Sequence, residues 1–249
     1  MNDFLGWRSS DNDKNSYVEA IRSILSSDSE FNNFRQHVKS GYRTILEHLS
    51  YDEGLKYFKH IREFENGQEM LLDAVTSDEV GNPVKFNYDG ILLNPTTLRY
   101  ISTALDIEKK FGNLDGVNYV EIGGGYGGQA KILTRMFNLK SVKLFDIPQA
   151  LELQKRYLSM FGVSCETLTI DKEFVIEENS FVVSNYAWCE LDENFRSIYA
   201  EKVIRKCSKA FLTTYDVDVH REFSSFDNVK IETDHFNTCN IVSINENKN

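Results

Sequence analysis

Tyr119-Val120-Glu121-Ile122-Gly123-Gly124-Gly125-Tyr126-Gly127-Gly128 is an apolar run that ends in an acidic residue and opens at once into glycines. The segment after it, Gln129-Ala130-Lys131-Ile132-Leu133-Thr134-Arg135-Met136-Phe137, has helical character. The order is therefore strand, tight turn, helix. Glycines in such a turn allow positive φ and let a ligand approach the backbone with no Cβ in the way. The turn also presents the free N–H groups of a helix N-terminus, which suits an adenosine-type ligand.

Strands and helices alternate from Val117 onward. The pattern predicts strands at 118–122, 141–146, 163–168, 180–185, 209–215, 228–233 and 238–244, with helices at 127–138, 148–161 and 194–207. Such alternation implies a mostly parallel sheet covered on both faces. No helix separates the last two strands, which are joined through Asp234-His235-Phe236 and read as an antiparallel hairpin at the sheet edge. The expected fold is α/β: a Rossmann-like, seven-stranded, mostly parallel sheet with a C-terminal antiparallel hairpin, preceded by a helical region. The tail Asn245-Glu246-Asn247-Lys248-Asn249 is expected to fray.

Upstream of the glycines the periodicity is helical. Tyr17, Val18, Ile21, Ile24 and Leu25 form one stripe, and Phe31, Phe34, Val38, Tyr42, Ile45, Leu46 and Leu49 a second. Ser50-Tyr51-Asp52-Glu53 matches a capping box and opens a third helix bearing Leu55, Phe58 and Ile61. Turn residues Gly81, Asn82, Pro83 and Gly90 surround a short β-like run at Val84-Lys85-Phe86. Asn94 and Pro95 then give an N-cap and N1 pair for a helix that buries Leu98, Ile101 and Leu105. These patterns divide the chain into a helical region, 1–90, expected to cover the site, shape the acceptor pocket or form an interface, and a ligand-binding domain, 91–249.

Composition narrows the function classes. The 249 residues include 41% hydrophobic and 12% aromatic residues, which supports a substantial core. The net charge of -10, without a long basic cluster, argues against nucleic acid as a partner. No apolar run approaches the roughly 20 residues that span a bilayer, and the N-terminus has no secretory pattern, so membrane insertion is not expected and a cytoplasmic location is. Cys165, Cys189, Cys207 and Cys239 show no CxxC spacing and read as buried, reduced thiols. A homo-oligomer is compatible with the sequence, which does not define one.

Gly123-x-Gly125-x-x-Gly128 matches the dinucleotide fingerprint, which leaves a NAD(P)-dependent oxidoreductase as one alternative. Glu121 before the glycines can hold the loop or face a cationic ligand. Asp146 ends the next strand, where a carboxylate can chelate two ribose hydroxyls or cap the helix that starts at Pro148. With the terminal hairpin, these features resemble the class I methyltransferases that use S-adenosyl-L-methionine. The resemblance covers roughly Asn94 to the C-terminus. Asn94-Pro95-Thr96-Thr97-Leu98-Arg99-Tyr100, the glycine run through Gln129, Asp146-Ile147-Pro148 with Gln154-Lys155-Arg156-Tyr157-Leu158, and Ser184-Asn185-Tyr186-Ala187-Trp188-Cys189-Glu190-Leu191 together are similar to the proposed sugar O-methyltransferases of glycan gene clusters.

That resemblance implies roles. Glu121, Gly123, Gly125 and Gly127 would line the methionine and ribose portion of the cofactor. Asp146 would take the ribose diol, Ile147 would pack on adenine, and Asp171 would accept from the adenine amino group or serve as a turn residue. Ser184, Asn185 and Tyr186 would lie beside the methionine end, with Thr97 and Arg99 reaching its carboxylate or the acceptor. The acceptor would be a sugar or sugar nucleotide. Its hydroxyl is a poor nucleophile, so a base or a metal must help remove the proton. Glu190 is a candidate base or a loop-anchoring carboxylate, and His235 a candidate base or an exposed turn residue. Asp216-x-Asp218-x-His220 could hold a divalent cation, although acidic loop tips are common and no metal ligand is assigned. A methyltransferase-like protein that binds without turning over is the non-enzymatic alternative.

Overall fold

The computed structural model describes residues 11–36, 42–215, 217–234 and 240–245. Its contacts divide the chain into two compact units, Leu114–Ala130 with Phe137–Asn249, and Asp11–Asn113 with Lys131–Met136. His235, Asp216 and Cys239 lie outside the described residues.

The second of these units is mainly helical. It contains α1 (Asp11–Leu25), α2 (Asp28–Asn32), α3 (Tyr42–Leu46), α4 (Tyr51–Ile61), α5 (Gly67–Ser77), the hairpin of β1 (Phe86–Tyr88) and β2 (Ile91–Leu93), and α6 (Pro95–Phe111). Ser50 caps α4 through the capping box: its hydroxyl accepts from Glu53 N–H while the Glu53 carboxylate accepts from Ser50 N–H. Asn94 caps α6, with Pro95 at its first turn. The second apolar stripe does not make one helix. Asn33 closes α2, and Phe34–Gln36 form a 3-10 turn that seats Phe34 and Arg35 in the interior. The buried Arg35 guanidinium donates to Glu47 at 2.6 Å, Asp78 at 2.7 Å and Thr97 Oγ1 at 3.0 Å. A buried cation needs this degree of pairing, because an unpaired one carries a large desolvation cost.

The first unit holds the sheet: β3 (Asn118–Ile122), β4 (Ser141–Phe145), β5 (Glu166–Leu168), β6 (Ser180–Asn185), β7 (Lys209–Thr214), β8 (Val229–Thr233) and β9 (Asn240–Asn245). Across the sheet they stand in the order β5-β4-β3-β6-β7-β9-β8. The first five of that order are mutually parallel, whereas β9 runs antiparallel to both β7 and β8. Every residue of β3 is buried, as expected for a central parallel strand covered on both faces. The helices of this unit are α8 (Pro148–Ser159), α9 (Glu193–Lys202) and α10 (Val219–Glu222), with the first turn of α7 (Gly128–Met136), whose residues Lys131–Met136 belong to the helical unit. Val120, Ile122, Phe145, Val182, Trp188, Leu212 and Val242 belong to one core.

Two boundaries differ from the sequence reading for a local reason. The strand expected over 163–168 begins only at Glu166, because Gly162 at φ 71° and the Val163 N–H bond to the Leu158 carbonyl close α8 first. The helix expected over 194–207 ends at Lys202, where Val203 turns to φ -117° and a 3-10 turn follows. No helix among the described residues is long and apolar enough to cross a membrane. Cys165, Cys189 and Cys207 form no disulfide; Cys189 and Cys207 are buried, while Cys165 is only half-buried, just ahead of the short edge strand β5.

Candidate functional site

From β3 the chain steps outward to β4 and β5, then returns to β6 on the opposite side of β3. The strand order reverses there, and open parallel sheets bind ligands at such a switch point, outside the carboxyl ends of the strands. The glycine turn follows β3, Asp146 follows β4, and Asn185 with Tyr186 ends β6.

Gly123 shows why the turn demands glycine. Its φ is 73°, its N–H donates to the Phe145 carbonyl at 2.8 Å, and a Cβ added there would stand 2.1 Å from Ala187 Cβ. The loop after β6 thus rests directly on the glycine turn. Gly125 and Gly127 also have positive φ.

Glu121 is only 1% exposed, and its Oε2 has no hydrogen-bond partner. Burial pushes its carboxyl up to about 8. The Tyr119 hydroxyl and Ala130 N–H act against that rise, and the Asp146 charge adds to it. A methyl on Gly124 would lie 3.3 Å from Glu121 Oε2 and 3.4 Å from Gln154 Nε2, so the carboxyl abuts the glycine backbone. Asp146 is half-buried. Its Oδ1 accepts from Ile147 N–H at 2.8 Å and its Oδ2 from Gln154 Nε2 at 2.7 Å. Burial again dominates and raises its carboxyl to about 7, against these hydrogen bonds. The helix-cap alternative for Asp146 does not describe the structure, since Ile147 occupies the N-cap position of α8.

Gln154, fully buried on α8, was not among the residues given a role from sequence. Its amide bridges Asp146 and the Gly125 carbonyl at 3.1 Å, and its Oε1 has no hydrogen-bond partner. The only sequence signal for it was its place in the motif two turns after Asp146. Ser184 Oγ donates to the Ile122 carbonyl at 3.1 Å and ties β6 to the end of β3. Asn185 donates to Gln129 Oε1 at 3.0 Å and accepts from Thr213 Oγ1 at 2.7 Å. Both side chains therefore brace the strand ends. Asp171 is exposed beyond β5, and a hydrogen bond from Thr169 holds its carboxyl below the usual range. The phenol of the buried Tyr199 is raised mainly by burial and also by the charges of Asp146 and Asp171.

Tyr186 has φ 65°, a conformation rare for a tyrosine, and its N–H donates to the Thr213 carbonyl at 3.1 Å and to Thr213 Oγ1 at 3.0 Å. Four residues on, Glu190 Oε1 accepts from Tyr215 OH at 2.7 Å. In the helical unit, the Thr97 hydroxyl donates to Asp78 at 2.6 Å while accepting from Arg35, so its proton is committed there. Arg99 is buried, with its guanidinium 5.6 Å from the Tyr100 ring centre. Asp218 caps α10 through Arg221 N–H, and among the described residues no cluster of His, Cys, Asp and Glu is arranged to hold a metal.

The sheet order and its reversed strand define a Rossmann-like methyltransferase fold. A candidate S-adenosyl-L-methionine-dependent methyltransferase from Methanococcus maripaludis is similar at a TM-score of 0.50 and 11% identity, over 59% of this chain and 84% of that one. Magnesium protoporphyrin IX methyltransferase from Synechocystis, with bound S-adenosyl-L-methionine, gives 0.45 at 11% identity, over 60% and 79%. An rRNA methylase from Streptococcus thermophilus gives 0.44 at 19% identity, over 58% and 94%. At these identities the likeness concerns the fold. No protein-family model and no curated protein matches the sequence.

Proposed function

We propose that this protein is an S-adenosyl-L-methionine-dependent O-methyltransferase that methylates a hydroxyl of a sugar or sugar nucleotide. The observation that carries the cofactor reading is the buried Glu121 carboxyl, whose Oε2 lacks a partner beside a glycine cradle. An unpartnered buried acceptor is costly, and a ligand carrying a cation and N–H donors would satisfy it. Asp146 already accepts from Ile147 N–H, Gln154 Nε2 and Gly124 N–H, and two carboxylate oxygens together offer about four acceptor positions. These donors would thus fix the carboxylate while its remaining acceptor capacity faces the ribose diol. Ile147 would pack on adenine and Asp171 would accept from its amino group. The sugar reading draws support from the ordered motifs that end in Tyr186 to Leu191.

Bound cofactor would supply a methyl group on a sulfonium, a good electrophile. The protein's tasks are to align the acceptor oxygen behind that carbon and to remove its proton. On transfer to the acceptor oxygen the methyl group would leave its C–S electron pair on sulfur, and the Glu190 carboxylate would take the hydroxyl proton. Tyr186, held at its strained turn by Thr213, is followed by Ala187, which packs against Gly123. Incubation with methyl-labelled cofactor and a panel of nucleotide sugars tests the reading. Label in a sugar product is expected. Cofactor binding with no transfer to any panel member would favour a binding protein instead.

A further inference from the structure

Glu222 is the last residue of α10, a four-residue helix that Val219 and the following Phe223 root in the core. Its side chain is 12% exposed, and each of its oxygens accepts a hydrogen bond. Oε2 accepts from Trp188 Nε1 at 2.8 Å, and Oε1 from Arg196 Nε at 2.5 Å. The buried Arg196, on α9, donates from a second nitrogen to the Leu191 carbonyl at 2.5 Å. The Trp188 indole also lies against the Phe223 ring, with centres 5.7 Å apart. Both α9 and α10 therefore grip one short stretch, the 3-10 turn Trp188–Glu190 and the Leu191 that follows it.

That stretch meets the glycine turn at its other end. Ala187, just before Trp188, is the residue that a methyl on Gly123 would strike, at 2.1 Å. Glu190 lies between the two gripped groups, the Trp188 N–H and the Leu191 carbonyl. A buried ion pair adds little stability over apolar packing, because desolvating the two charges offsets their attraction. What the Arg196–Glu222 pair supplies is direction. Hydrogen bonds to a charged group are short and strong, and here they fix one side-chain donor and one main-chain acceptor on either side of Glu190.

We infer that Glu222 is a positioning residue of the cofactor site: acting through Trp188 and Arg196, it seats the segment 187–191 on the glycine turn. This rests on the S-adenosyl-L-methionine reading and adds to it a residue that acts at one remove. With the clamp loosened, the seated loop is only fractionally populated, and apparent ligand affinity falls by that fraction.

Trp7 and Trp188 are the two tryptophans of the chain. In a Trp7→Phe background the Trp188 indole N–H is thus a single line in the NMR spectrum of nitrogen-15-labelled protein. Titration with S-adenosylhomocysteine should move that line and saturate at the dissociation constant found by calorimetry. Glu222→Gln should displace the line in the ligand-free protein and weaken S-adenosylhomocysteine binding at least about threefold. That change leaves the buried Arg196 charge without its partner, so Trp188→Phe is measured beside it. This second variant keeps the Arg196–Glu222 pair and an aromatic ring, removes the indole N–H, and should also bind at least about threefold more weakly. An indole line that ignores saturating S-adenosylhomocysteine, or wild-type affinity in Trp188→Phe, would overturn the inference and leave the cofactor reading intact. The clamp would then serve stability alone. Failure of S-adenosylhomocysteine to bind the wild type would instead remove the reading on which the inference rests.

Discussion

Burial holds the Glu121 carboxyl at about 8 and the Asp146 carboxyl at about 7, well above their ordinary values. The folded protein thus keeps protons that the unfolded chain releases near pH 4, and stability falls as pH rises wherever the folded state binds more protons. The contribution is complete below the ordinary carboxyl range and is lost as pH climbs through 7 to 8. Thermal melts of the ligand-free protein should show Tm falling between pH 5.5 and 8.5, and Glu121→Gln should flatten that fall. Parallel curves for the two proteins would mean that Glu121 is not a buried, protonated acid. Asp146→Ala and Glu190→Gln should fail in different ways. The first removes the proposed acceptor of two ribose hydroxyls, each charge-assisted bond being worth roughly 1.5–3 kcal/mol, so S-adenosylhomocysteine affinity should drop at least about tenfold with the fold intact. The second should keep that affinity and lower turnover by about 10² to 10⁴, the usual worth of a general base. Near-normal turnover in Glu190→Gln would move the base to His235 or to the Asp216, Asp218 and His220 cluster. At this scale the positions of the candidate carboxylates Glu121 and Asp146 were legible because they follow from strand ends. The contacts of Gln154 and Tyr215 were not, since each hydrogen-bonds a partner 8 or 25 residues distant.

Elements were readable where one physical cause dominates. The strands at 118–122 and 180–185 fall where expected because central parallel strands are buried on both faces and these carry apolar centres, Tyr119-Val120 and Phe181-Val182-Val183. The start of α4 was legible from its capping box, and Ser50→Ala should cost about 1 kcal/mol, seen as a lower denaturation midpoint with unchanged slope. An unshifted midpoint would show that the cap contributes nothing net. By contrast α5 gave no such signal: Asn66 makes no side-chain capping bond, and only Leu71 and Ala74 of its apolar side chains are buried. The glycine turn is the element where fold and function meet. Gly123→Ala must move either a φ of 73° or Ala187, 2.1 Å from the new methyl. We expect a lower Tm together with weakened S-adenosylhomocysteine binding. Wild-type affinity in this variant would detach the β6 loop from the cofactor site.

At the scale of the molecule, the sequence distinguished an α/β sheet with a terminal hairpin from a preceding helical region. The sheet order with β9 between β7 and β8 completes that picture and matches a methyltransferase fold rather than two mononucleotide halves. The proposed sugar acceptor rests on motif resemblance alone, because recognition of a neutral ring depends on side-chain faces that spacing does not encode. Whether the switch point holds S-adenosyl-L-methionine is the central claim, and calorimetric titration of the full-length protein with S-adenosylhomocysteine tests it most directly. One-to-one binding with a dissociation constant on the order of micromolar, lost in Asp146→Ala, is the predicted result. No heat and no thermal shift at millimolar ligand, with saturable binding of NAD or NADP in its place, would contradict it.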